Sequence, residues 1–325
     1  MKAWLCESLD GVEALQWREL PTPEPQPGQV RIAIRAASLN FPDLLTVQGK
    51  YQFKPALPFV PGSEFAGHVE AVGDGVTALS PGAAVAVIGN NGGFATHACV
   101  DASQVIPLPP GFDVEHGAAF AFTYGTSHHA LLDRAQLQPG ETVLVLGAAG
   151  GVGTAALQIA KAAGARVIAA ASTDDKCARC RELGANESIA YGRESLRDRV
   201  KALTDGRGVD VVYDPVGGDL ADPAFRSLAW RGRYLVVGFA AGAIPALPWN
   251  LALLKGASLV GVFWGDFVRR EPQAFGQELR QLAQWYREGK IRPVIDARLP
   301  MTELRRAYER MASRDVRGKL LLVNG

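Results

Sequence analysis

The sequence has 325 residues, with 34 Lys and Arg against 33 Asp and Glu, a formal net charge of +1 and 48% apolar types. That length exceeds what one core usually fills, so two domains are expected. The even charge balance, without a basic block, excludes the footprint of a nucleic-acid binder, and no apolar run approaches the roughly 18 residues of a membrane span. The first residues, Met1-Lys2-Ala3-Trp4-Leu5-Cys6-Glu7, show no long apolar stretch with a small-residue cleavage site. No secretory signal is read there, and a cytoplasmic location is expected. Through the first third, short strands alternate with turns. Residues 29–35 alternate polar and apolar at the period of a half-buried strand. Twelve of the 20 prolines precede residue 119, and Pro21, Pro23, Pro25 and Pro27 make a segment that is neither helix nor central strand. An antiparallel β-rich domain is predicted.

From about residue 119 the rhythm becomes strand then helix. Units fall at 142–146/152–163, 166–171/174–183 and 209–213/219–229, with a further strand at 233–238, the pattern of a doubly wound parallel sheet in an α/β protein. Val152, Ala156, Ile159, Ala160 and Ala163 recur at helical spacing, and Gly164 stands where a left-handed cap ends the helix. A helix over 277–288, a strand over 291–295, a helix near 302–312 and a last strand over 319–323 follow, this tail rejoining the β-rich domain. The expected domains are 1–118 with 290–325, and 119–289, packed closely around a cleft because no low-complexity linker separates them. Cys6, Cys99, Cys177 and Cys180 are too scattered for a disulfide framework, and Cys177 and Cys180 read as ordinary helix residues.

The strongest motif is a buried strand, Thr142-Val143-Leu144-Val145-Leu146, running through Gly147-Ala148-Ala149-Gly150-Gly151-Val152-Gly153 into a helix. Glycines three apart let backbone amides approach a pyrophosphate, to which the helix N-terminus adds partial positive charge. Dinucleotide binding through Gly150, Gly151, Val152 and Gly153 is therefore expected. In dinucleotide folds an acid about 20 residues further on receives the ribose hydroxyls of NAD. Here the next strand ends Ala169-Ala170-Ala171-Ser172, without an acid in its last positions. Ser172 can donate to a 2′-phosphate, Lys176 lies one helical turn beyond it and Tyr191 closes the following strand, so NADPH is the expected cofactor. Asp174 and Asp175 read as first-turn helix acids.

At these residues a likeness becomes specific. Leu39-Asn40-Phe41-Pro42-Asp43, Pro58-Phe59-Val60-Pro61-Gly62-Ser63-Glu64-Phe65-Ala66-Gly67, the glycine turn, Gly208-Val209-Asp210-Val211-Val212-Tyr213-Asp214-Pro215-Val216-Gly217-Gly218 and Gly318-Lys319-Leu320 together resemble the quinone oxidoreductase branch of the medium-chain dehydrogenase/reductase superfamily. The resemblance implies a GroES-like catalytic domain, a Rossmann domain carrying NADPH, and a homodimer. It gives Ser172, Lys176 and Tyr191 to the 2′-phosphate and Thr126 to the nicotinamide end. Gly238-Phe239 and Val262-Phe263-Trp264 become loops at the reactive end, and Lys319 joins the cofactor contacts.

Departures from the zinc-dependent relatives set the expected chemistry. Those relatives place a His before the Glu where this chain has Ser63, and a Cys near position 40 where it has Asn40; a close Cys quartet is also missing. His68, His97 and His116 show no ligand spacing, and His128 and His129 point about 100° apart on a helix. No metal site is expected. Without a Lewis acid, the remaining chemistry is hydride reduction of an activated acceptor, a quinone or an enone, with Asn40 and Tyr51 as candidate donors. The stretch from Asn40 to Tyr51 is also similar to enoyl-thioester reductases, which makes enoyl-thioester reduction an alternative. A non-enzymatic, NADPH-binding crystallin-like or scaffold protein is the rival from another class.

Overall fold

In the computed structural model, which describes residues 1–325, the chain forms two units, Met1–Phe122 with Ile295–Gly325, and Thr123–Val294. The first opens with the antiparallel pair β1 (Lys2–Leu5) and β2 (Gln16–Glu19). The prolines at 21–27 then hold the chain out of any element until β3 (Gln29–Ser38), where Val30, Ile32 and Ile34 point inward as the alternation predicts. Helix α1 (Phe41–Val47) starts at Asn40, whose backbone N–H donates to the Asp43 carboxylate in a capping box. Strands β4 (Glu64–Val72), β5 (Ala84–Ile88), β6 (His97–Asp101) and β7 (Val105–Pro107) follow, all paired antiparallel. Two helices, α2 (Val114–Gly117) and α3 (Ala121–His128), lead out of this part.

The second unit alternates strand and helix: β8 (Thr142–Leu146), α4 (Gly151–Ala162), β9 (Arg166–Ala171), α5 (Asp174–Glu182), β10 (Glu187–Ala190), α6 (Leu196–Leu203), β11 (Val209–Asp214), α7 (Ala221–Arg226), β12 (Leu228–Val236), α8 (Asn250–Lys255), β13 (Ser258–Gly261), α9 (Trp264–Arg270) and α10 (Pro272–Arg287). Its six strands run parallel in the order β10-β9-β8-β11-β12-β13. This is the expected doubly wound Rossmann sheet, with its order reversing beside β8. Leu144, Leu146, Ile168, Ile189, Val212, Phe225 and Tyr234 belong to one buried cluster of this unit. Gly164 ends α4 at φ 81°, its N–H on the Lys161 carbonyl, as the spacing predicts.

Two local expectations are corrected. The helix read over 219–229 is α over Ala221–Arg226 only, and β12 begins at Leu228 rather than at 233; the Ser227 hydroxyl returns to the Pro223 carbonyl where the helix stops. The strand read over 291–295 does not form there, because side chains take its backbone groups: Gln158 Oε1 accepts the Arg292 N–H at 2.6 Å, and the Arg292 carbonyl accepts from Gln158 Nε2 and the Tyr124 hydroxyl. The chain then enters β14 (Ile295–Pro300), helix α11 (Leu304–Ala312) and β15 (Lys319–Val323). Strand β15 pairs antiparallel with β3 and parallel with β14, completing the sheet β14-β15-β3-β4-β5-β7.

Candidate active site

Strand β8 is buried throughout and ends where β9 and β11 flank it, the position at which doubly wound sheets hold ligands. Gly147 turns the chain at φ 57°, and a Cβ there would lie 2.8 Å from Val216 Cγ2. A Cβ on Gly153 would collide with the Gly147 carbonyl oxygen. Only glycine permits this close approach of helix to turn. Gly150, the N-cap of α4, has no side-chain cap, so no side chain satisfies the first-turn amides at Gly151, Val152 and Gly153. A 12-residue, largely buried helix that begins uncapped behind a glycine cradle fits a pyrophosphate.

At the end of β9, Thr173 rather than Ser172 is the N-cap of α5, its hydroxyl accepting from the Lys176 N–H. Ser172 is therefore not occupied with capping. The Tyr191 N–H donates to the Ala171 carbonyl, and Gly192 lies so close that a Cβ would collide with the Ser172 carbonyl oxygen. Ser172 and Tyr191 are thus brought to one place, with Lys176 in the first turn of α5 beside it. Asp174 stands in the first turn of α5 as expected, and it also holds Arg193 in a two-pronged pair.

In the first unit a buried ionic cluster gathers residues of β3, α1, β4, α3 and β15. Lys319, at the start of β15, places Nζ 2.5 Å from Asn40 Oδ1 and 3.2 Å from Glu64 Oε2. The same Glu64 oxygen accepts from Ser38 Oγ at 2.6 Å and Asn40 Nδ2 at 3.2 Å, while Oε1 accepts the Phe122 N–H at 2.8 Å. Asp43 accepts the N–H groups of Asn40 and Ser63. Burial pushes its carboxyl up to about 6, against the lowering pull of those bonds and of Lys319. Tyr51 is half-buried and its hydroxyl makes no hydrogen bond within the chain. Burial, and secondarily the charge of Asp43, raises its phenol and keeps it protonated.

The comparisons with known proteins agree with this architecture. Residues 26–110 match the alcohol dehydrogenase GroES-like domain and residues 151–284 the zinc-binding dehydrogenase domain. The quinone oxidoreductase-like protein 2 of Bos taurus is 40% identical over 323 residues, covering 99% of this chain and 92% of the relative. The chain belongs to the quinone oxidoreductase branch of the medium-chain dehydrogenase/reductase superfamily. Among solved structures, a probable oxidoreductase from Mycobacterium abscessus superposes with a TM-score of 0.90 at 39% identity, covering 100% of this chain and 99% of that one. The Escherichia coli quinone oxidoreductase complexed with NADPH superposes with a TM-score of 0.92 at 28% identity, each chain fully covered.

The surroundings of several expected site residues are specific. Lys319, expected among the cofactor contacts, directs its ammonium onto Asn40 and Glu64. Asn40, expected as a substrate donor, is nearly fully buried with its amide held between Lys319 and Glu64, which suits it to positioning. The Phe263–Trp264 pair divides. Trp264 is 4% exposed, with its indole N–H on Glu278 Oε1 at 3.1 Å and its ring so close that a Cβ on Gly125 would lie 2.5 Å away; Phe263 is 56% exposed. Gly238 and Phe239 do reach the turn after β11, since a Cβ on Gly217 would lie 2.9 Å from Phe239 Cδ1. Asp214 shapes that turn by accepting the N–H groups of Val216 and Gly217 and the Tyr234 hydroxyl. Val262 is tied to the end of β12 through its N–H on the Val236 carbonyl.

Sequence reasoning missed Ser38, Glu64 as a buried charge, and Ser127. Beside Thr126 on α3, the Ser127 hydroxyl lies within hydrogen-bond reach of the Val152 carbonyl in α4 and of the Tyr213 hydroxyl. A charged residue in an otherwise apolar strand start, as at Glu64, was the one available signal, because such a group is buried only with partners.

Proposed function

We propose that this protein is an NADPH-dependent, zinc-independent reductase of quinones or related activated carbonyl acceptors. The observation that carries the reading is the uncapped, glycine-cradled start of α4 at the reversal of the parallel sheet, with Ser172, Lys176 and Tyr191 gathered at the end of β9. The NADPH complex of the Escherichia coli relative supports the same cofactor. When bound, the cofactor supplies a hydride to the acceptor carbon. The chain holds the pyrophosphate on the Gly151–Gly153 amides, and the Tyr51 hydroxyl donates to the acceptor oxygen as negative charge grows there. Zinc independence rests on the chemistry of the donor set: at the two positions where relatives carry ligands this chain has an amide and a hydroxyl, and the ammonium of Lys319 stands in the same cluster, where it repels a cation.

Lys176→Ala tests the cofactor assignment. A hydrogen bond to a charged group contributes about 1.5–3 kcal/mol, so the Kd for NADPH should rise about ten- to hundredfold while that for NADH barely moves. Equal losses for both would show that Lys176 does not read the phosphate.

We propose that a second copy of the chain pairs along β13. This strand is the open edge of the six-stranded sheet, and Leu259 on it is exposed, as are Trp230, Trp249, Leu253 and Leu254 of the neighbouring elements. An open strand edge beside large exposed apolar side chains favours pairing with another edge. Sedimentation should show a dimer that Leu259→Glu converts to monomer. A dimer indifferent to that charge would move the interface elsewhere.

A further inference from the structure

The end of β9 carries a contradiction that the cofactor assignment leaves open. Asp174 stands two residues beyond Ser172, at the first position of α5, close to where an acid in dinucleotide folds receives ribose hydroxyls and repels a phosphate. A chain that accepts a 2′-phosphate here needs that charge cancelled. Arg193 does so. Its Nε lies 2.9 Å from Asp174 Oδ2 and its Nη2 2.6 Å from Oδ1, the fork geometry of a strong pair. The turn that carries Arg193 is fixed over the same spot: the Arg193 N–H donates to the Ala190 carbonyl, and Gly192 is pressed against the Ser172 carbonyl.

We propose that Arg193 is a specificity-determining residue for the 2′-phosphorylated dinucleotide, acting by neutralising Asp174 and by offering its remaining guanidinium nitrogen to the phosphate. The inference rests on the NADPH reading above and adds the residue that lets an acid-bearing site accept that ligand. Nη1 makes no hydrogen bond within the chain, so a planar fork already oriented by Asp174 keeps a donor edge for a phosphate oxygen. Both side chains are well exposed, at 63% and 66%, so as an isolated surface pair they contribute little to folding. Their effect falls on a charged ligand that binds beside them.

The test uses NADPH, NADH, adenosine 2′,5′-bisphosphate and AMP, with Kd values from calorimetry at low ionic strength, where exposed charges are least screened. Arg193→Ala should weaken NADPH and the bisphosphate about tenfold or more while NADH and AMP change less than about twofold. Adding Asp174→Asn to Arg193→Ala should recover part of that loss, because the unmasked acid is removed. Arg193→Lys, which keeps the charge but not the fork, should fall between wild type and Arg193→Ala, and it provides the comparison should the alanine variant fold poorly. Equal effects of Arg193→Ala on phosphorylated and unphosphorylated ligands, or none on either, would overturn the proposal. Lys176→Ala separates the two levels. Discrimination lost on Lys176→Ala but kept on Arg193→Ala sinks this inference alone, whereas a wild-type protein that binds NADPH no better than NADH sinks the cofactor reading as well.

Discussion

Lys319→Met is expected to destabilise the protein by about 3–5 kcal/mol, measured by urea unfolding at pH 7, because it leaves the fully buried Glu64 carboxylate without a counter-charge. Ser38, Asn40 and the Phe122 N–H would still donate to Glu64, yet none carries charge. The double variant Lys319→Met with Glu64→Gln should recover most of the loss. The loss also has a pH signature through Asp43. A carboxyl whose folded value is raised contributes stability that is complete below the ordinary carboxylate range and disappears as pH rises through the folded value, here about 6. Lys319 opposes that rise, so its removal should make the deficit largest at neutral pH and smaller as pH falls below about 6, where Asp43 takes up its proton. A deficit under about 1 kcal/mol and flat from pH 5 to 8 would mean that Lys319 is not the counter-charge of this cluster.

Tyr51→Phe should lower kcat on an enone on the order of 10²-fold or more, the range of general acid catalysis, with NADPH affinity unchanged. The substitution keeps the ring and removes only a hydroxyl that has no partner in the chain. Its phenol is held protonated by burial and by Asp43, so it is available as a donor when charge develops on the acceptor. A quinone should suffer less, because its reduced oxygen is a weaker base and can take a proton later from water. Asn40 offers little substitute, as its amide already lies between Lys319 and Glu64. Unchanged kcat on both acceptors would leave Tyr51 as packing.

The parallel sheet was legible because its signals are local. Buried strands such as 142–146, glycines three apart and the Gly164 cap each depend on a few adjacent residues, and each appears where the spacing puts it. The catalytic-domain cluster was legible only in fragments. Asn40 and Ser63 stood out as departures from a ligand pattern, but nothing local announces that Lys319, 279 residues from Asn40, closes on it. That contact depends on β15 pairing with β3, a long-range register that no periodicity encodes. The same holds for 291–295, where Ile291, Val294 and Ile295 read as strand but Gln158 and Tyr124 take the main-chain groups of Arg292. Asp174 was readable as a first-turn helix acid and nothing local singled out Arg193; their pairing follows from the turn after β10 lying against the end of β9.

The most direct measurement is NADPH oxidation by metal-analysed protein offered a quinone, an enone and an enoyl thioester, before and after treatment with a chelator. Acceptor-dependent oxidation on the quinone or the enone, zinc well below one per chain, and the same rate after chelation are expected. Stoichiometric zinc with activity lost to the chelator, or no oxidation with any of the three acceptors, would contradict the proposed function.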